Sequence, residues 1–319
     1  METLNGLSKE DYNNYKSCLK YLNENKTIGN EDAEYNGIFH VHWRGPIDNN
    51  KVTFQIKSIL ATQYVTKIYF WIENLLTTLQ SRCYPNLAQL AKYVQIRVFD
   101  KSIMDKLDSP YKEQIWNIYA LNNGDRRYRT DIFRWCILNI YGGTYSDADT
   151  LFLRDIRDIK IKNWSAKWAQ DDYAEACILH LEQGNKVAEN IYLNNPYDAR
   201  CFLMMINDMP EAYSYKHKNL DFTSLPSYFF DIIWGHEHCQ GERGIMLKNV
   251  KMKTFDDFFT KMNIDITLDE FFPGCFTYHW HNRWDAPELK DSIAGKLNED
   301  IDRIIKEKYN ITPAKIFTL

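Results

Sequence analysis

The stretch Tyr128–Leu153 reads YRTDIFRWCILNIYGGTYSDADTLFL, and in it Asp147 and Asp149 stand one residue apart. In an extended chain side chains alternate, so Tyr145, Asp147 and Asp149 are expected on one face of a short strand. Two carboxylates about 6–7 Å apart on one strand face repel each other and make poor structural material. A hard divalent cation that bridges them to the phosphates of a ligand removes the conflict. Upstream, Asp131 and Arg134 lie three apart in a stretch of strong apolar content, which puts them on one face of a helix. Gly142-Gly143 ends that helix, because glycine takes the left-handed conformation a carboxyl-terminal cap needs.

A second dense patch runs from Thr277 to Trp284, TYHWHNRW. If residues 276–282 are extended, His279 and His281 face the same way. Imidazole is a competent metal ligand, so either can complete a metal shell, His281 in the first instance. Two further His-x-His pairs, His40/His42 and His236/His238, invite a zinc-hydrolase reading. No HExxH exists, and His40 and His42 fall inside an expected buried strand, so satisfied structural histidines are the better reading. The phosphatase signature DxDx[TV]T also fails: it needs a threonine or valine four residues after its first aspartate, and residue 151 is Leu.

The elements that must position these groups follow from hydrophobic spacing. Gly37–Trp43 (GIFHVHW) reads as a strand, and Val52, Ile56, Ile59 and Leu60 mark an amphipathic helix. Ile68–Ile72 is a continuous apolar run, typical of a strand covered on both faces. Val94, Ile96 and Val98 alternate with polar residues up to Asp100, a turn aspartate or a ribose contact. This β-α-β-α-β order predicts an α/β fold with a mostly parallel central sheet flanked by helices, where ligands bind at the carboxyl ends of strands. Residues 1–35 are polar, with a short helix from Ser8 to about Asn23. Residues 156–275 read as irregular loops and small helices. Residues 286–308 read as a helix with a broken stripe of Leu289, Ile293, Ile301, Ile304 and Ile305.

The whole chain has 319 residues, 39 basic against 43 acidic, and 15% aromatic residues. That composition excludes a disordered chain, a collagen or a coiled coil, and its slight acidity argues against nonspecific nucleic-acid binding. No apolar run is long enough for a transmembrane helix or a signal peptide, so the protein is expected in a cytosol unless the chain is trimmed. Seven scattered cysteines without a CxxC fit reduced, buried thiols. Three Asn-x-Ser/Thr sequons are expected by chance in an Asn-rich chain.

The composite Asp131-x-x-Arg134, Gly142-Gly143-x-Tyr145-x-Asp147-x-Asp149 resembles the sugar-binding DXD region of GT-A-fold glycosyltransferases. Its relatives there are the yeast initiating mannosyltransferase and α1,4-galactosyltransferase group and the glucosylating clostridial toxins. The dense match covers about 25 residues. Weaker likeness extends to the strand that ends in Trp43 and to Phe272-Pro273 with the Tyr278–Trp284 cluster.

The resemblance implies a GT-A, Rossmann-like fold and a metal-dependent, retaining transferase. It implies a nucleotide-diphosphate sugar donor (UDP-sugar favoured, GDP-mannose possible) and a hydroxyl of a glycan or small molecule as acceptor. It assigns Asp131 to the donor sugar's hydroxyls, Arg134 to the sugar or diphosphate, Asp147 to ribose, sugar or a metal water, and Asp149 to Mn2+ or Mg2+. The implied donor-binding set is Trp43, Asp131, Arg134, Tyr145, Asp147 and Trp284; the metal set is Asp147, Asp149, His279 and His281.

Arg126, Arg127 and Arg129 attract the diphosphate or form a solvated cluster, and Asp171-Asp172 falls where an acceptor-side carboxylate is expected. The organisation implied is an appendage over 1–35, a nucleotide-sugar half over 36–155, a smaller irregular acceptor half over 156–285 and a terminal helix over 286–319. A bacterial cytosol, or that of a virus-infected host, suits such an enzyme. The alternatives are a sugar-nucleotide-binding pseudoenzyme or lectin-like module, and a histidine-based metal hydrolase. A carboxylate kept for a metal adds little to packing, so losing Asp149 is expected to leave stability unchanged or raised.

Overall fold

A computed structural model describes residues 27–29, 31–121, 126–167, 174–185, 187, 215–216, 221–233, 245–262 and 264–313. The expected helix from Ser8 lies outside them, as do His236/His238 and Asp171-Asp172.

The centre is an eight-stranded sheet. Its first half follows the alternation of strand and helix read from the sequence: β1 (Ile38–Trp43), α1 (Lys51–Thr62), β2 (Lys67–Ile72) and β3 (Val94–Val98). Helices α2 (Lys112–Leu121) and α3 (Arg126–Tyr141) follow, and then β4 (Gly143–Ser146) and the short β5 (Thr150–Phe152). Beyond residue 155 come β6 (Trp164–Lys167), β7 (Ala174–Leu181), β8 (Tyr215–Lys216), β9 (Thr223–Leu225), β10 (Thr277–His279) and α4 (Ile293–Tyr309). The sheet order is β8-β9-β6-β7-β4-β1-β2-β3. Strands β4, β1, β2 and β3 are parallel; β7 runs antiparallel between β4 and β6. Residues 164–181 and 215–225 therefore contribute sheet strands, where the sequence suggested irregular loops. Three of these four strands are only two to four residues long, too short to show a period of two.

Side-chain alternation explains the two cores. Ile68, Phe70 and Ile72 of β2 pack with Val52, Phe54, Ile56 and Ile59 of α1. Tyr69 and Trp71, pointing the other way, pack with Phe133, Trp135 and Ile137 of α3. The apolar run of β2 is thus covered on both faces, as a buried parallel strand requires. Helix α1 is buried from Lys51 to Ala61, because α4 covers the side that β2 and β5 do not. Lys57 is tied there to Asn298 at 2.7 Å and to Asp302. Ser292 caps α4 at its start, its side chain accepting from the Gly295 N–H, and Asn310 ends it in the left-handed conformation.

Candidate active site

The turn from α3 into β4 depends on both glycines. Gly142 has φ +62° and Gly143 φ +100°, and a Cβ on Gly143 would stand 2.5 Å from the Ile38 carbonyl oxygen. Only glycine combines this conformation with so close an approach. Strand β4 then stops at Ser146, short of both aspartates. The Asp147 N–H donates to the Cys177 carbonyl at 2.7 Å, and the Thr150 N–H donates back to Asp147 at 3.2 Å. The pair Asp147/Asp149 therefore sits on a tight turn, not on the continuous strand expected from alternation. Gln55 of α1 braces the turn from behind, donating to Ser146 Oγ at 2.9 Å and to the Asp147 carbonyl at 2.7 Å.

The carboxyl-terminal cluster reaches this turn through one short pairing. Strand β10 runs antiparallel to β5, with His279 opposite Thr150 and Thr277 opposite Phe152. His279 Nε2 lies 3.0 Å from Asp149 Oδ1. The chain then turns through His281 and Asn282, both left-handed at φ 47° and 58°, and the Asn282 N–H donates to Asp149 Oδ2 at 2.7 Å. Residues 276–282 are thus not extended throughout, because the strand ends at His279. The two imidazoles still stack, with centroids 4.0 Å apart. His279 is the histidine on Asp149, whereas His281 lies against Asp231.

Charge is arranged in opposition. Asp131 and Arg134 contact each other directly, and Arg134 also donates to the Ala176 carbonyl and stands 3.9 Å from Asp147. Tyr145 is buried, and its hydroxyl donates to Asp147 Oδ1 at 2.6 Å. Burial pushes the Asp147 carboxyl above its usual range; Arg134 opposes this and Asp149 adds to it. Burial would raise Asp149 too, but His279 and the Asn282 N–H outweigh it and hold Asp149 below the usual range. His279 is driven well above an ordinary histidine: burial opposes this, and Asp149 and Asp231 prevail. Asp231 is held down at about 2, its two histidines overcoming the effect of burial.

Asp147, Asp149 and His279 offer one ligand atom each within 4.8 Å of one another, and so do Glu175/Cys177/His279 and Asp231/His279/His281. His279 belongs to all three groups. Glu175, Cys177 and Asp231 are additions that the sequence reading passed over. Their signal was present: Glu175 and Cys177 alternate along β7, and Asp231 is a lone carboxylate in the apolar text YFFDII.

Trp43 and Trp284 meet edge to face at 5.0 Å, both half-buried at the rim. Asp100 caps the helix that follows it, its side chain accepting from the Ser102 and Ile103 N–H groups. Arg129 pairs with Glu73 at 3.1 Å and lies over Tyr119; the side chains of Arg126 and Arg127 are outside the described residues. His40 is buried and satisfied by the Gly142 carbonyl and by Trp71 Nε1, which fits a structural role.

Residues 11–169 match the family described as a glycosyltransferase sugar-binding region containing a DXD motif. Among solved structures, the PaToxG glycosyltransferase matches 61% of this chain and 76% of its own at 14% identity and a TM-score of 0.43. The glycosyltransferase GlyE of Streptococcus pneumoniae TIGR4 matches 87% of this chain and 64% of its own at 12% identity and a TM-score of 0.47. The UDP-bound glycosyltransferase domain of the YGT toxin matches 50% and 61% at 10% identity and a TM-score of 0.35. The chain spans less than two thirds of the last two proteins. No curated protein sequence shows a significant match.

Proposed function

Residues 11–169 belong to the glycosyltransferase sugar-binding family marked by a DXD motif, and from that premise we propose a metal-dependent, retaining transfer from a nucleoside-diphosphate sugar to an acceptor hydroxyl. The observation that carries the proposal is the convergence of Asp147, Asp149 and His279 within 4.8 Å, beside the Asp131–Arg134 pair.

The residues suit a divalent cation. Asp149 adds to the raised proton affinity of the buried Asp147, and a cation held by the two carboxylates would relieve that repulsion. Asp147, Asp149 and His279 would hold it, an oxygen-rich set with one imidazole that accepts Mn2+ or Mg2+. When bound, the metal supplies charge neutralisation at the departing diphosphate. Arg134 adds a fixed positive charge on the same side, buried and therefore weakly screened. Asp131 is read as the acceptor for the donor sugar's hydroxyls, with Trp43 and Trp284 as the aromatic walls. In the transfer, the acceptor oxygen bonds to the anomeric carbon, the carbon–oxygen bond to phosphate breaks, and the acceptor proton passes to the leaving oxygen.

UDP is the favoured carrier, with GDP-mannose the rival, on the family resemblance of the motif. Residues 36–155 are read as the donor half and 156–285 as the acceptor half. No described helix is long and apolar enough to cross a membrane, and Cys83, Cys136, Cys177 and Cys275 are buried and outside any disulfide. The buried thiols support a cytosolic place of work.

The test is a panel of nucleotide sugars scored by thermal shift with and without Mn2+. A ligand present at about a hundred times its Kd stabilises by about 2.7 kcal/mol. A metal-dependent shift with one donor, together with its slow hydrolysis when no acceptor is present, supports the reading and separates an enzyme from a binding module. Undiminished turnover in excess EDTA would overturn the metal dependence.

A further inference from the structure

Lys51 opens helix α1, and its side chain is 0% exposed. A cation is misplaced there, because the amino-terminal end of a helix carries partial positive charge. The first turn of α1 contains no acidic residue to offset it. Instead, Nζ donates to three backbone carbonyls of one loop: Arg283 at 2.7 Å, Trp284 at 2.9 Å and Ala286 at 2.6 Å. Three ammonium hydrogens meet three acceptors, and the group also lies 4.3 Å from the Phe259 ring centroid.

The neighbours of Lys51 hold the same loop. Asn49 Nδ2 donates to the Trp284 carbonyl at 2.6 Å, and the Asn50 N–H and Nδ2 both donate to Glu288 at 3.1 and 3.0 Å. One residue before the clamped carbonyls, the Asn282 N–H donates to Asp149. Between them sits Trp284, against Trp43 and Trp280. His281 and Asn282 are two consecutive left-handed residues without glycine, a backbone cost that the contacts around them offset.

We propose that Lys51 is a positioning residue, whose ammonium clamps the carbonyls of residues 283, 284 and 286 so that the loop presents the Asn282 N–H to Asp149 and Trp284 to Trp43. Its relevance to transfer rests on the donor site proposed above; the clamp itself does not. A buried lysine is a poor choice for stability alone, since an apolar side chain would fill the same space without desolvating a charge. What the lysine adds is direction, by collecting carbonyls that no apolar residue could hold.

The experiment compares amide hydrogen exchange and nucleotide binding in the wild-type protein and in Lys51→Met, which keeps the length and loses the donors. The expected result is faster exchange confined to residues 281–288, roughly 10- to 100-fold for the loss of a charge-assisted bond, with UDP binding in the presence of Mn2+ weakened to a similar extent. Glu288→Ala, which opens only the outer clasp, should show the same pattern more weakly, and it decides the question if Lys51→Met does not fold. Unchanged exchange in the loop, or a uniform rise across the whole protein, would overturn the proposal. So would a freed loop with unaltered UDP affinity. If the wild-type protein binds no nucleoside diphosphate, the donor-site reading fails while the exchange pattern still decides the clamp.

Discussion

Replacing Asp149 with alanine should lower the melting temperature of the metal-free protein. The carboxylate is 4% exposed and accepts from the Asn282 N–H at 2.7 Å and from His279 at 3.0 Å. Hydrogen bonds to a charged group are worth about 1.5–3 kcal/mol each, a gross loss of about 3–6 kcal/mol. Relief of burial and of repulsion from Asp147 returns part of it. Removing one member of a buried ion pair costs about 3–5 kcal/mol net, because the partner charge is left behind. At about 2–4 °C per kcal/mol for chains of 150–250 residues, somewhat less for a longer one, the midpoint should drop by several degrees.

This geometry reverses the expectation drawn from the sequence, that a metal-binding carboxylate adds little to the fold. The assay is a melt at pH 7 in EDTA, with Mn2+-dependent UDP binding on the same preparation. The deficit should persist at neutral pH and narrow only as the pH falls below 3.8, the ordinary aspartate value. Asp149 lies lower still in the folded state, so its contribution is present above 3.8 and fades through that lower value. A midpoint that is unchanged or raised in EDTA would refute the argument.

Asp131→Asn should weaken nucleotide-sugar use far more than binding of the bare nucleoside diphosphate, by roughly 10- to 100-fold; equal losses in a titration of both ligands would show that Asp131 acts only by holding Arg134. Gly143→Ala should lose about 1–3 kcal/mol from its positive φ alone, and more from the approach to Ile38, read by denaturant unfolding; a loss below 0.5 kcal/mol would show that the turn can rearrange. Burial pushes the Lys51 ammonium down to about 8, with Glu288 and Asp285 opposing. Between about pH 8 and 10.5 the unfolded chain therefore binds more protons than the folded one, and stability gains with pH. Wild type should gain on Lys51→Met over that window, the three carbonyl acceptors of the ammonium limiting the gain, measured as the difference in chemical denaturation at pH 8 and pH 10.5.

The parts of the site that follow from local rules were legible in the sequence. The face shared by Asp131 and Arg134 is a matter of helix spacing, the ending at Gly142-Gly143 a matter of φ, and the cover over β2 a matter of an unbroken apolar run. The rest depended on which distant segment docks where. Alternation put Asp147 and Asp149 on a strand, yet β4 ends before them because the Cys177 carbonyl and Gln55 capture the turn. Alternation also put His279 and His281 on one face, and the sequence reading favoured His281. The strand ends between them, and only His279 meets Asp149. Lys51 carried little local signal, since a lysine gains meaning only from the carbonyls brought to it.

The pairing of β10 with β5 sets an order of assembly. Asp149 and the Asn282 N–H that holds it are 133 positions apart in the chain, and the strands that join them are only three residues long. Closing so long a loop costs entropy before any contact repays it, and three-residue strands repay little. The parallel strands β1, β2 and β3, linked through short crossovers, can pair without that closure. The contact between Asp149 and the Asn282 N–H is therefore expected to form after the pairing of β1, β2 and β3. A probe on the Asn282 amide should lose protection ahead of one on Phe70.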